Sequence, residues 1–270
     1  MTRMNTPLIK WTGSKRSVAK QIVDFFPNKI ETYYEPFLGG GSVFLELLKS
    51  SLSVNRYECS DFNESLIEIF KSVKNNPDEI INSYDDKWNK LQNDKDYFYK
   101  EREYYNNTKD PFSLYFLTRT CYNGTIRYNN KGEFNTSYHF GRSGMQPEKI
   151  EKIIQYYNLL MKNKSINFSH KSFLEVKSDH QKDVVYIDPP YSDSKALYFG
   201  NINFNNLCSW IEDLPCNWYF NFNEINSKDT EAELPFSYSG KEELCTGKSS
   251  FSRMKGIDVN VREYFYYKSI

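Results

Sequence analysis

The sequence predicts an α/β fold: a largely parallel β-sheet whose chain is split by an inserted, mostly helical segment carrying a β-hairpin. Three observations lead there. "VVYIDPPYSD", residues 184 to 193, opens with an unbroken apolar run, Val184 to Ile187, of the kind found in a strand covered on both faces. Two prolines without ladder donors stop it at Asp188. "TYYEPFLGGGSVFLELLKSS" reads as strand, glycine turn and helix, and "RYECSDFNESLIEIFKSV" repeats the step with Asp61 at the strand's end.

In chain order, "TGSKRSVAKQIVDFFP" has helical spacing through Val18, Ile22, Val23 and Phe26, with Pro27 ending it. The two strand–helix steps follow. From residue 75 the character changes to polar, Tyr- and Lys-rich helical periods such as "IINSYDDKWNKLQ", "YFYKEREYYNN" and "PFSLYFLTRTCYN". Within that stretch, Thr125 to Tyr128 and Glu133 to Tyr138 flank "NNKG", which predicts a hairpin. Sheet patterning resumes at "KSINFSHKSF" and continues through the 184–187 strand and "NWYFNFNE" to a closing "NVREYFYYKS". The expected division is a core of residues 1–74 and 165–270 around an insert of 75–164.

Composition narrows the function. With 35 basic and 35 acidic residues, a polyanionic partner must be met by a local patch rather than by net charge. Aromatic residues make up 17% of the chain, enough to fill a core and still leave rings for stacking on bases. Cysteines 59, 121, 208, 216 and 245 form no CxxC and are odd in number, which fits reduced thiols better than disulfides or zinc. No apolar run reaches membrane-spanning length and "MTRMNTPLIKWTG" lacks a signal-peptide core, so a soluble, cytoplasmic chain is expected. Histidines 139, 170 and 180 are scattered, and no metal site is expected.

Four segments carry chemistry. Gly39, Gly40 and Gly41 follow a strand, where they serve either an ordinary tight turn or a close backbone approach to a ligand at a helix amino end; GxGxxG is not satisfied. Asp61, roughly twenty residues on, stands where an acid bonds ribose hydroxyls, or it caps the helix starting near Asn63. In "KWTGSKR", Lys15 falls on the expected first helical turn, where the dipole disfavours a cation; it is a solvated lysine or it meets a ligand carboxylate. Asp188 stands at the carboxyl edge of its strand, where α/β sheets bind ligands. A base with an exocyclic amine in that crevice would find an acceptor in Asp188, a second in the Pro189 carbonyl and a stacking ring in Tyr191. Two acceptors on one amine direct its lone pair at an electrophilic methyl held in line.

Taken together, "KWTGSKR", "EPFLGGGSVF", "SDFNESLIEIF", "RTCYNGTIRYNNKGEFN" and "DPPY" resemble, in order, the Dam-type DNA adenine-N6 methyltransferases of the alpha class, over about residues 7 to 200. The resemblance implies a Rossmann-like methyltransferase core, S-adenosylmethionine as cofactor, a target-recognition insert and an adenine flipped out of double-stranded DNA. It implies catalysis by Asp188, Pro189, Pro190 and Tyr191. Cofactor contacts would come from Trp11, Lys15, Phe37, Gly39, Gly40, Gly41, Asp61, Phe173 and Asp188. Arg127 matches a guanine-reading arginine, suited to a bidentate fit on O6 and N7. Lys10, Tyr122 and Thr125 would also meet DNA, with Arg119, Asn123, Asn129 and Lys131 as looser candidates for phosphate or base. A monomer in a bacterial or phage-infected cell is implied, orphan or paired with a cognate restriction endonuclease.

Two departures bear on the target. Thr125 stands where relatives often carry a bulkier apolar wedge. "TSYHFGRSGMQPEKI" replaces the shorter "VPFG"-like continuation of GATC-specific members, so GATC is one candidate site among others. Cytosine-N4 enzymes typically begin the tetrapeptide with Ser or Thr, and many RNA and protein-glutamine enzymes with Asn, so Asp188 favours adenine. A cytosine-C5 enzyme needs a nucleophilic Cys. "LPCN" offers only Cys216, expected to be structural.

Overall fold

The computed structural model describes residues 6–141, 144–190, 202–224, 234–244 and 262–270. The strands are β1 (Lys29–Glu35), β2 (Ser53–Asp61), β3 (Ile166–His170), β4 (Val184–Ile187), β5 (Asn217–Glu224), β6 (Gly240–Leu244) and β7 (Arg262–Lys268). They form one sheet in the order β3-β2-β1-β4-β5-β7-β6. The β1–β2, β2–β3, β1–β4 and β4–β5 pairs are parallel, and β7 runs antiparallel to both its neighbours. This is a Rossmann-like α/β sheet whose strand order reverses between β1 and β4. Their carboxyl ends therefore border a crevice, the place where open α/β sheets bind ligands.

The period-2 rule explains how the middle strands are covered twice. Val184 and Tyr186 join one buried cluster while Val185 and Ile187 join the other, and all four are essentially inaccessible. Tyr33 and Tyr34 of β1, and Tyr219 and Trp218 of β5, divide the same way. Helices α1 (Ala19–Asp24), α2 (Ser42–Leu47) and α3 (Glu64–Asn75) cover one face, and α8 (Phe204–Glu212) covers the other through Leu207 and Ile211.

The inserted segment forms α4 (Pro77–Asn93), α5 (Tyr97–Thr108), α6 (Pro111–Thr120) and α7 (Pro147–Met161). Pro77 and Pro111 open their helices at positions where the missing N–H goes unused. Asp110 caps α6 by accepting from the Ser113 N–H at 2.7 Å. The apolar stripes of these helices pack on α3, so Ile80, Tyr84, Leu91, Phe98 and Ile154 belong to the same cluster as the sheet residues Tyr33 and Tyr57. One core thus runs through the insert and the sheet.

Three local expectations change. The helix expected from Lys15 begins at Ala19, because "TGSK" forms a turn with Gly13 at φ 76° and the Val18 N–H bonded to the Lys15 carbonyl at 3.0 Å. The 125–138 hairpin closes through isolated bridges, Cys121 to Tyr138 and Tyr128 to Phe134, instead of a continuous ladder. Strand β6 and helix α8 have no counterpart in the sequence reading. "GKEEL" is a charged edge strand with only Leu244 buried, so it lacks the alternation by which strands are recognised.

Candidate active site and recognition hairpin

Beyond the carboxyl ends of β1 and β4 lies a cavity of about 320 Å³, within the range of small-ligand sites. Lys15, Glu35, Phe37, the 39–41 glycines, Asp61, Phe173, Asp188, Pro189 and Pro190 all line it. Residues brought there from five separate segments are thus gathered by the strand order. Asp188 is the first residue past β4, as the proline stop requires. The Lys15 Nζ lies 2.8 Å from Asp188 Oδ1, both side chains largely shielded from solvent, and Nζ also donates to the Gly13 carbonyl at 3.3 Å. Lys15 reaches this position from a turn ahead of α1, and the partner of its ammonium is the Asp188 carboxylate.

The glycine loop has a packing reason as well as a ligand-facing one. Gly39 and Gly41 adopt φ of 48° and 63°. A Cβ on Gly40 would come 3.0 Å from Trp11 Cβ, and one on Gly41 would come 2.8 Å from Phe70 Cζ. Trp11 therefore roofs the loop. The helix that follows, α2, is only six residues long.

Asp61 is fixed by backbone donors. Its Oδ2 accepts from Gly39 N–H at 2.8 Å and its Oδ1 from Asn63 N–H at 2.9 Å. The cap of α3 is Asn63, whose Oδ1 accepts from Leu66 N–H at 3.1 Å, so the capping alternative for Asp61 does not hold. Burial raises the Asp61 carboxyl above its ordinary range, while these donors pull it back down. On the opposite wall, the rings of Phe37 and Phe173 lie 5.4 Å apart, and Phe173 also meets Trp210 edge-on at 5.5 Å.

Glu35 was not singled out from the sequence. It ends β1 as Asp188 follows β4, is 2% exposed, and accepts a 2.6 Å hydrogen bond from the Tyr33 hydroxyl. Burial drives its carboxyl from 4.5 to about 8, with the charges of Asp188 and Asp61 adding to the rise and the Tyr33 bond opposing it. The available signal was an acid placed directly before the glycine turn.

The 121–138 hairpin is fastened to this cleft. Thr12 Oγ1 accepts from the Ile126 N–H at 3.1 Å and donates to the Ile126 carbonyl at 3.3 Å. Asn63 Nδ2 donates to the Tyr128 hydroxyl at 3.3 Å, and Tyr128 itself lines the cavity. Lys10 is exposed, its stem packed on Gly124, where a Cβ would come 2.5 Å from Lys10 Cδ. Tyr122, Asn123 and Arg127 are exposed beside it, and Asn123 holds a left-handed φ of 54°. Thr125 is half-buried, its carbonyl accepting from Thr136 Oγ1 at 2.8 Å. Lys131 is exposed at the hairpin tip.

Two of the expected DNA contacts are engaged elsewhere. Arg119 is 4% exposed, and its Nη2 donates to the Pro7 carbonyl at 2.6 Å and to the Leu8 carbonyl. It ties the N-terminal segment to α6 and does not face outward. Asn129 builds the tip: its Oδ1 accepts from the Lys131 and Glu133 N–H groups, and its Nδ2 donates to Glu133 at 2.7 Å. Tyr191, the expected stacking ring, lies outside the described residues. The described cysteines 59, 121, 208 and 216 are free and buried, and burial pushes the Cys216 thiol up to about 11, a poor nucleophile. Among the described residues no cluster of His, Cys, Asp or Glu is arranged to hold a metal, and no helix is long and apolar enough to cross a membrane.

Comparisons with known proteins agree with this geometry. Residues 11–206 match the family described as D12 class N6 adenine-specific DNA methyltransferase. The Type II methyltransferase M.MjaIII of Methanocaldococcus jannaschii is 34% identical over 202 residues, covering 68% of this chain and 68% of that protein. The DNA adenine methylase of Haemophilus influenzae is 33% identical over 197 residues, covering 69% and 64%. The Type II methyltransferase M1.LlaDCHI of Lactococcus lactis is 31% identical over 196 residues, covering 68% and 65%. With its Asp-Pro-Pro motif at the sheet's switch point and a matched stretch that includes the glycine loop and the hairpin, the chain belongs to the D12 class of N6 adenine-specific DNA methyltransferases.

Proposed function

We propose that the β1–β4 cleft binds S-adenosylmethionine and presents it to the N6 amine of an adenine flipped out of a short duplex site. The observation that carries this reading is the Lys15–Asp188 pair at the switch point, with Asp61 and the glycine loop in the same cavity. Membership of the family implies S-adenosylmethionine, and the donor set fits it. Lys15 offers a cation for a carboxylate, Asp188 an acid for an ammonium, Asp61 an acid for ribose hydroxyls, and Phe37 with Phe173 an aromatic wall for a purine.

When bound, S-adenosylmethionine supplies an electrophilic methyl group. The chain's own part is to position the acceptor. Asp188 takes one N–H of the adenine amine and the Pro189 carbonyl takes the other, which orients the nitrogen lone pair. The amine sheds one proton on methylation, and the Asp188 carboxylate that accepts its N–H is placed to receive it. No covalent enzyme intermediate is needed.

The hairpin, in this reading, meets duplex DNA with Arg127 reading a guanine edge and Lys10 and Lys131 meeting phosphates. The free, buried state of the four described cysteines supports a reducing cytoplasm. In this reading the enzyme is a monomer, orphan or paired with a cognate restriction endonuclease. The test is single-molecule sequencing of DNA from a methylase-free host expressing the chain or its Asp188→Ala variant. Methyladenine confined to one short motif, and absent with the variant, is the expected result. Near-normal modification by Asp188→Ala would overturn the amine-acceptor role.

A further inference from the structure

We infer that His139 is a positioning residue for DNA recognition: it backs the Tyr122 ring, and the two form a stacking platform for a DNA base. The inference rests on the reading of the hairpin as the DNA-facing element. The geometry starts from the Cys121–Tyr138 bridge, an antiparallel pair. In such a pair, side chains one residue along point to the opposite face of the ribbon. Cys121 and Tyr138 are accordingly buried, at 5% and 2% exposure, while Tyr122, Ser137 and His139 turn outward.

Tyr122 stands opposite Ser137, whose carbonyl accepts its N–H at 2.8 Å, and His139 lies two residues beyond Ser137. That is the diagonal relation in which large rings on one face meet. The rings do meet, with centroids 5.0 Å apart and planes 22° from parallel. Tyr122 nevertheless remains 49% exposed, so one side of it is left open. Lys10 stands by this surface through its contact with Gly124, in the same turn as Tyr122.

The imidazole is held by packing. Among the described residues its Nδ1 is buried without a hydrogen-bond partner, and a Cβ on Gly141 would come 3.4 Å from its Cε1. A flat ring that stops Tyr122 from rotating explains the arrangement, since stacking on a base needs a fixed ring plane and no sequence-specific donor.

The test compares His139→Ala, His139→Phe and Phe140→Ala on a duplex carrying the site found by sequencing. Phe140 is the control, an aromatic 73% exposed that meets Tyr138 and not Tyr122. His139→Ala should raise KM for DNA roughly 5- to 20-fold, the effect of losing one ordered stacking ring. S-adenosylmethionine affinity, thermal stability and the salt slope of DNA binding should be unchanged. His139→Phe should return KM to within about threefold of the starting protein, and Phe140→Ala should stay there throughout.

The inference is overturned if His139→Ala matches the unsubstituted chain, if Phe140→Ala is equally impaired, or if His139→Phe is as poor as His139→Ala. A shallower salt slope would also overturn it, by making His139 a phosphate contact. If the unsubstituted chain methylates no DNA at all, the proposed function fails with it. Failure of the His139 series alone leaves that function standing.

Discussion

Lys15 Nζ and Asp188 Oδ1 stand 2.8 Å apart, although 173 residues of chain separate them and neither lies inside a helix or strand. The sheet order makes the meeting possible: β1 and β4 are neighbours, and the turn before α1 lies over the crevice between their ends. Lys15 and Lys171 line the cleft with three acids, Glu35, Asp61 and Asp188, and Lys15 is the cation paired with Asp188. Lys15→Met should weaken S-adenosylmethionine binding by tenfold or more, about 1.4 kcal/mol, measured by calorimetry. Turnover at saturating cofactor should fall much less. Lys20→Met, which removes an exposed pair with Asp24, should change neither. A large loss of turnover at normal affinity would move Lys15 from cofactor binding to the acceptor side.

Arg119 and Arg127 should separate cleanly. Arg119→Met leaves the Pro7 and Leu8 carbonyls without their donor, a cost of about 1–3 kcal/mol in denaturant titrations. Because those residues lead into Trp11 and Lys15, cofactor affinity should fall as well, while the DNA sequence preference stays the same. Arg127→Ala should leave stability within about 0.5 kcal/mol and relax discrimination at one base pair by about 1–3 kcal/mol. A uniform loss on all sequences, with a lower salt slope, would make Arg127 a phosphate contact. Altered specificity in Arg119→Met would contradict its assignment to the N-terminal segment.

Gly41→Ala tests the packing account of the loop. The φ of 63° strains an alanine, and the added methyl would lie 2.8 Å from the Phe70 ring. A loss of about 1–3 kcal/mol in stability is expected from the backbone alone. Stability equal to that of the starting protein would show that the loop relaxes.

How much of this was legible in sequence depended on how local each signal is. The β4 strand and Asp188 could be read because an apolar run and two prolines act within seven residues. The glycine loop and Asp61 could be read because strand–turn–helix steps repeat. Lys15 was placed on a helix that starts four residues later, since periodicity does not register a Gly-Ser turn. Arg119 and Asn129 were read as DNA contacts by residue type, but their partners, the Pro7 carbonyl and the Glu133 side chain, are fixed by tertiary packing and turn geometry. Strand β6 gave no signal because an edge strand need not alternate. Glu35 escaped because an acid ahead of a glycine turn looks like surface. Only the order of β1 and β4 buries it beside Asp188.

That burial gives Glu35 a pH signature. Its carboxyl titrates near its ordinary 4.5 when unfolded and at about 8 when folded. Between those values the folded chain holds a proton that the unfolded chain has released, so unfolding sheds a proton and stability falls as pH rises. Below 4.5 both states are protonated and the contribution is fully present; above about 8 both are ionised and it is gone. Asp61, also raised by burial, acts in the same direction. Glu35→Gln keeps the shape and an acceptor for the Tyr33 hydroxyl but cannot ionise. Its denaturation midpoint, compared with that of the unsubstituted chain, should gain steadily from pH 5.5 to about pH 8 and then level off. A constant difference over that range would mean that Glu35 is ionised in the folded protein, held so by a cation in the cleft. Lys15 is then the residue to remove in a double-mutant cycle with it.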